Sequence, residues 1–272
     1  MTKNKPLLMR RGKEVYIIMP DKLVTKGIVL RETQTKEADK ILTVLTPDLG
    51  RIAVIARGVK RKGSKIAAAS ELLAFSELVL YQRGNWYYLD EASTIALFDG
   101  VRCDVELLSL ASYFAEMTEA VTAEDVPAGE VLSLLLNSLY ALDTLQKPQS
   151  LVKAAFEWKL LALSGYEPLI DDCAVCGETA PAEPVFDVQQ GVVLCRSCAG
   201  AAANGMLALD AGSLAAMRHV LHRETKQMLS FRLSGDTAAR FSRVCEAFAA
   251  VQLDRRFKTL DFYTGIKIDD KA

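Results

Sequence analysis

Apolar and polar positions change rhythm once along the chain. Between Val24 and about Ser93 they form short runs of the kind that build half-buried strands, separated by turn residues. Val24, Ile28 and Leu30 lie in a first predicted strand, ILTVLTP from Ile41 in a second, and RIAVIARG from Arg51 in a third. Pro47, Asp48 and Gly50 stand between the last two, where a hairpin turn needs a fixed φ, a local acceptor and a permissive backbone. SELVLYQR and WYYLDEAS make a fourth and a fifth strand about Gly84 and Asn85, a two-residue loop whose leading glycine suits a tight hairpin. Five short strands in about 70 residues predict a small barrel. An OB-fold, the five-stranded Greek-key barrel that binds oligonucleotides, fits this pattern, as do other small β-barrels.

After Gly100 the spacing becomes helical. Leu107, Leu110, Ala111, Phe114, Met117 and Val121 share one face, and Val131, Leu134, Leu135, Leu142 and Leu145 share another. Leu151, Ala154, Ala155, Trp158, Leu161 and Ala162 define a third helix, with Gly165 near its C-cap and Pro168 beyond. Near the C-terminus, Phe241, Val244, Cys245, Phe248 and Val251 line a helix that returns to the same bundle. The expected class is α+β: a basic extension over 1–22, a barrel over 23–98, and a helical domain over 99–272 with an insertion over about 170–205.

Composition adds little by itself. Half of the 272 residues are hydrophobic and 25% are charged, enough apolar material for real cores and too much for a disordered chain. The longest apolar run, LSLLLNSLYAL from Leu132, falls well short of the roughly 20 residues that a membrane span needs. The basic N-terminal stretch has only short apolar runs and no small-residue cleavage pattern, so a soluble, cytoplasmic protein is expected. The distribution of charge says more. Residues 1–65 carry 16 Lys+Arg against 6 Asp+Glu, a net +10, whereas residues 66–160 carry 5 against 14, a net −9. A basic first quarter followed by an acidic middle points to one module that meets a polyanion and another that does not.

CAVC and CRSC are two C-x2-C knuckles separated by 18 residues. Two residues between ligands let one tight turn aim both thiolates at a single point, and two such turns close a tetrahedron, so Cys173, Cys176, Cys195 and Cys198 are expected to hold one structural zinc ion. Gly177 supplies the backbone freedom that the first turn requires, and Gly191 reads as the hairpin turn between the knuckles. Paired disulfides suit a cytosolic chain poorly, and a thioredoxin-like site needs one motif in a βαβ setting. A catalytic zinc is disfavoured because such sites keep one position open, usually with histidine among the ligands, and the P-C-x-x-C half of the deaminase pattern is missing. His219 and His222, the two histidines of the chain, read as exposed helix residues rather than as a second metal site, while Cys103 and Cys245 read as small packed hydrophobes. No nucleophile, base and orienter can be assembled, and there is neither a phosphate-cradling glycine loop nor HExxH, so no enzyme is expected.

RGVKRKGSK sets Arg57, Lys60, Arg61, Lys62 and Lys65 directly after the third predicted strand. A cationic loop punctuated by glycines can follow a phosphate backbone and displace its counterions, which makes binding salt-sensitive and largely independent of sequence. Arg31, Lys36, Lys40 and Arg51 come from the same barrel, and Trp86, Tyr87 and Tyr88 offer rings on which bases could stack, although alternation must turn at least one of the three inward. The same arm would also serve an acidic protein partner, which leaves a protein-interaction scaffold as the alternative reading.

The order of these parts resembles the RecO family of bacterial recombination and repair mediators. The stretches that carry the resemblance are KGIVLRETQTKEADKILTVLTPDLGRIAVIARGVKR in the barrel, AAFEWKLLALSGYEPLIDDCAVCG entering the first knuckle, GVVLCRSCA leaving the second, and DRRFKTLDFY near the C-terminus. They reach from about Thr25 to Tyr263. The resemblance implies an OB-fold barrel, binding of single- and double-stranded DNA, annealing of complementary strands, and engagement of the C-terminal tail of the single-stranded-DNA-binding protein. It further implies action with RecR in loading RecA, at the nucleoid. Members differ in whether they keep the zinc cysteines, which implies a stabilising metal; all four are present here.

Overall fold

The computed structural model describes residues 7–11, 14–18, 22–35 and 37–266. The chain forms two compact units: one runs up to Leu97 and takes in residues 123–128, and the other holds the remainder.

In the first unit β1 (Leu7–Arg11) and β2 (Glu14–Ile18) pair as a separate antiparallel hairpin, an element not anticipated in the basic extension. A closed barrel follows, made of β3 (Lys22–Gln34), β4 (Lys40–Thr46), β5 (Gly50–Ala56), β6 (Phe75–Arg83) and β7 (Trp86–Ala96) in the order β3-β4-β5-β7-β6. These are the five expected strands, in an OB-like arrangement. Closure depends on β3, which pairs with β6 from Lys22 to Ile28 and with β4 from Ile28 to Gln34. At the crossover a Cβ on Gly27 would lie 2.6 Å from Val44 Cγ1, so only glycine lets the strands approach, and a bulge between Val29 and Arg31 turns the strand onto its second partner. Val29, Leu42, Val44, Ile52, Val54, Leu78, Leu80 and Leu89 fill the interior. Each such side chain contributes about 1.5–3 kcal/mol by leaving water. Strict alternation in β5 buries Ile52, Val54 and Ala56 and turns Arg51, Ala53 and Ile55 outward.

Residues 123–128 join this unit through its β4–β5 turn. Arg51 N–H donates to Ala123 O (3.0 Å), Asp125 N–H to Leu49 O (3.0 Å) and Ala128 N–H to Pro47 O (2.8 Å). Gly50 is needed twice over: its φ is +64°, and a Cβ there would lie 2.2 Å from Ala123 O.

The second unit is helical. It contains α1 (Asp99–Arg102), α2 (Val105–Val121), α3 (Gly129–Asp143) and α4 (Gln149–Leu163), then α5 (Arg196–Ala199), α6 (Ala211–His222), α7 (Gly235–Leu253) and α8 (Lys258–Ile266). Between α4 and α6 lies a small sheet, β8 (Val185–Asp187), β9 (Val192–Leu194) and β10 (Leu207–Ala208), in the order β10-β8-β9. Asp104 caps α2 by accepting from the backbone N–H groups of Glu106 and Leu107, and Asp210 and Ser213 form a reciprocal capping box at α6. The expected faces of α2, α4 and α7 are buried except toward their ends, where Leu107, Val121, Ala162 and Val251 are partly exposed, and there are two departures nearby. α3 ends at Asp143, so Leu145 lies beyond it and is half exposed. Cys103 is exposed at the end of α1 and does not pack as a small hydrophobe; Cys245 does.

Helix α4 is buried almost all round. Phe156 stacks on Phe114 at 4.1 Å between centroids, and Trp158 donates from Nε1 to Met217 O (3.1 Å) while its ring packs against Phe186 and Phe248. One turn of α4 also buries charge. Lys153 Nζ lies 2.7 Å from Glu157 Oε1 and 2.7 Å from Glu246 Oε2, and Tyr113 OH donates to Glu157 Oε1 at 2.7 Å. Burial raises the Glu157 carboxyl above the usual range despite Lys153. Burial pulls the Lys153 ammonium down, but the charges of Glu157 and Glu246 outweigh it and the pKa rises. Replacing Lys153 by Met strands a carboxyl that is fully buried, and should cost about 3–5 kcal/mol in urea unfolding. Glu246→Gln, which removes the half-exposed partner, should cost no more than about 1 kcal/mol by the same measurement.

Candidate nucleic-acid interface and metal centre

The cationic segment after β5 is a tethered loop. Gly58, at φ +64°, donates its N–H to Asp39 Oδ1 (2.8 Å), and Lys60 N–H reaches Ala38 O (3.2 Å). Turns closed by Arg61 N–H to Gly58 O and by Ser64 N–H to Arg61 O, both 3.0 Å, shape the remainder. Val59 is buried in the barrel core and Ile66 packs against it. The backbone is thus fixed from inside while Arg57, Lys60, Arg61, Lys62 and Lys65 stay exposed.

The other predicted cations are spread differently. Arg31 is exposed on β3, its Nη1 3.4 Å from Thr33 Oγ1. Lys40 is half-buried in an ion pair with Glu32, so part of its charge is spent within the barrel wall. Arg51 sits at the opposite end of β5 from Arg57, about 20 Å away at the usual strand rise, and is not brought to the loop. Lys36 lies outside the described residues.

Of the three rings on β7, Tyr87 turns inward against the core, Trp86 is 44% exposed and Tyr88 is less exposed than Trp86. The Arg57 guanidinium lies 4.6 Å from the centroid of Tyr88, whose ring stacks on Tyr81 at 5.2 Å with 13° between planes. Tyr81 escaped the sequence reading. The two-residue hairpin could have found it, because pairing Arg83 with Trp86 sets Tyr81 opposite Tyr88.

In the second unit the four cysteines converge, with all four sulfurs within 4.8 Å of one another. Gly177, at φ +72°, closes the first turn by donating to Cys173 O (2.8 Å). The β8–β9 hairpin, turning at Gly191 (φ +68°), delivers the second pair, and Cys195 N–H points at Cys173 Sγ (3.3 Å). Cys173 and Cys195 are buried beside Val185, Val192, Leu194 and Ala203; Cys176 is exposed. The Cys176 and Cys195 sulfurs are 3.8 Å apart, which matches the edge, about 3.8 Å, of a tetrahedron with metal–sulfur bonds of about 2.3 Å. Burial pushes the Cys173 thiol up, but the N–H groups of Cys176, Cys195 and Val175 outweigh it and bring its pKa to about 6. Burial and the adjacent sulfurs push Cys195 up to about 12. One thiolate is favoured and a second beside it resisted, an imbalance that a divalent cation relieves. These residues can hold one metal ion.

The histidines do not converge. His219 Nε2 meets Gln227 O and Ser230 Oγ, whereas His222 Nε2 lies 2.7 Å from Asp171 Oδ1. Arg196, beside the second knuckle, is exposed and 3.8 Å from Glu183. No helix among the described residues is long and apolar enough to cross a membrane.

An OB-like barrel with a tethered cationic loop, and a helical unit with a four-sulfur metal site, define a two-part, cysteine-bearing class of barrel protein. The family profiles for recombination protein O, N terminal and C terminal, match residues 19–98 and 102–261. Similar proteins named DNA repair protein RecO include those of Acetivibrio thermocellus, 30% identical over 88% of this chain and 95% of that one, and Symbiobacterium thermophilum, 30% identical over 89% and 96%. That of Desulforamulus reducens is 28% identical over 87% of this chain and 91% of its own. The chain belongs to the recombination protein O (RecO) family of DNA repair proteins.

Asp39→Ala removes the acceptor for Gly58 N–H and should loosen the loop while leaving its charge in place. Trypsin should then cut between Arg57 and Lys65 several-fold faster, as followed by mass spectrometry; an unchanged rate would mean that Val59, Ile66 and the Lys60–Ala38 bond suffice to anchor the segment.

Proposed function

We propose that this protein is a non-enzymatic, DNA-binding recombination mediator. Its barrel, taken as residues 23–98, would grip the phosphate backbone of single- and double-stranded DNA through Arg57, Lys60, Arg61, Lys62 and Lys65, with Arg31, Lys40 and Arg51 at greater distance along the wall. The observation that carries this reading is the loop itself: five cations held outward by a backbone tied to Asp39, Ala38 and the barrel core. Affinity from such a loop is electrostatic and indifferent to sequence, as annealing of arbitrary complementary strands requires. The names of the relatives support a role in DNA repair. In this reading the domain over 99–272 docks the acidic C-terminal tail of the single-stranded-DNA-binding protein and acts with RecR to load RecA, in the bacterial cytoplasm at the nucleoid. A pull-down with that tail peptide tests the partner directly.

Replacing all five loop cations with alanine should weaken oligonucleotide binding and reduce the log–log salt slope by up to about 3.5, at roughly 0.7 per single-strand phosphate released. An unchanged slope would remove the loop from the interface.

We further infer that the metal is one structural zinc ion, since four thiolates leave no position for water and suit a soft-to-borderline cation. Zinc would hold the insertion over about 170–205 in register, with Cys173, Cys176, Cys195 and Cys198 as ligands. Stripping it with a chelator should lower the melting temperature of the helical unit while DNA binding by the barrel persists. A cobalt-loaded protein should show the spectrum of a closed four-thiolate site. Complete loss of DNA binding by metal-free protein that remains folded would instead put the knuckle on the DNA, with Arg196 the first residue to examine.

A further inference from the structure

The pairing register builds a continuous row of side chains around the outside of the barrel. Thr33 pairs with Ile41, Ile41 with Ile55, Ile55 with Tyr88, and Tyr88 with Tyr81. One residue along each strand, Leu42, Val54, Leu80 and Leu89 point into the core, so by alternation the row points out. Ile41, Ile55, Tyr88 and Tyr81 are each partly exposed, whereas the outer face of an antiparallel sheet normally meets water with polar residues. With strands about 4.8 Å apart the row from Ile41 to Tyr81 spans about 14 Å, the rise of about four stacked nucleotides at 3.4 Å each. Cations border it: Arg57 is held over Tyr88, and the remainder of the exposed basic loop follows in sequence.

We propose that this row is a stacking platform for unpaired nucleobases, which makes the barrel select single-stranded over double-stranded DNA. The inference rests on the DNA-binding reading and adds a specificity to it. A duplex buries its base faces in its own stack and presents phosphates and groove edges, so it can use the basic loop but not the row. An unpaired strand can use both. The chemistry matches on each side: flat apolar faces against Tyr81, Ile55 and Ile41, and phosphates against Arg57, whose planar guanidinium is already oriented by the Tyr88 ring, itself stacked on Tyr81 by its other face. An acidic protein tail would satisfy the cations but leave the aromatic row unused.

The test uses the full-length protein and three probes of equal length at one salt concentration: oligodeoxythymidine, an abasic sugar–phosphate strand with the same charges, and a duplex. Oligodeoxythymidine should bind at least about tenfold more tightly than the abasic strand, the effect of stacking a base or more. Tyr81→Leu should remove most of that difference, costing oligodeoxythymidine far more than the abasic strand, while Tyr81→Phe should retain it. Trp86 reports independently, because the other tryptophan, Trp158, is fully buried, and its fluorescence should respond to oligodeoxythymidine and not to the abasic strand. Equal affinity of the wild-type protein for the thymidine and abasic strands overturns the platform and leaves the DNA-binding reading standing. Failure to bind any of the three overturns both.

Discussion

A five-stranded barrel of this size closes because one strand bends and gives its successive halves to different neighbours, and here that strand is β3. The crossover at Gly27 and the bulge after Val29 fix how β3 bends, and with it the register of β4 and β6. Every side chain on the barrel wall inherits its direction from that register, since a slip of one residue would exchange the inner and outer sets. The hairpin at Gly84 and Asn85 sets Tyr81 beside Tyr88, while the placing of Tyr88 beside Ile55 is a consequence of closure. So is the position of the basic loop, which leaves β5 at the edge where its parallel partner β7 begins.

The helical unit solves a different problem. Its central helix, α4, is so enclosed that two of its charged residues, Lys153 and Glu157, must neutralise each other away from water. Such a pair adds little net stability, yet it punishes any arrangement that separates its members. The four cysteines play a similar part at the far end of the same helix's surroundings: Phe186 of β8 packs on Trp158, so the hairpin that carries Cys195 and Cys198 is tied to α4 by ring contacts as well as by any metal. Specificity of packing, rather than quantity of buried surface, is what both devices supply.

Much of this was legible in the sequence. The five strands, the α2, α4 and α7 faces and the cysteine site follow from periods of 2 and 3.6 and from ligand spacing, which are local signals. What escaped was set by distance or by degree. α8 is short and exposes all but one of its side chains wholly or in part, so its pattern is weak. Leu145 continues the α3 spacing, but a residue at positive φ, Gln146, follows directly and the helix has already stopped. Lys40 shares its charge with Glu32 of the adjacent strand, a pairing that spacing along one strand does not show. Cross-strand partners of this kind are invisible to a scan along one strand, and Tyr81 was overlooked for the same reason.

Residues 123–128 belong to the barrel unit although they follow α2 in the chain. They bond the backbone of Pro47, Leu49 and Arg51, and Gly50 has no side chain because that segment occupies the space. During synthesis, then, the five strands are complete once Ala96 has left the ribosome, but the β4–β5 turn exchanges water for its protein partners only when residue 128 has emerged. The two units are interleaved in time as well as in sequence, and a fragment cut cleanly after Leu97 would be a closed barrel with its β4–β5 turn bared to water.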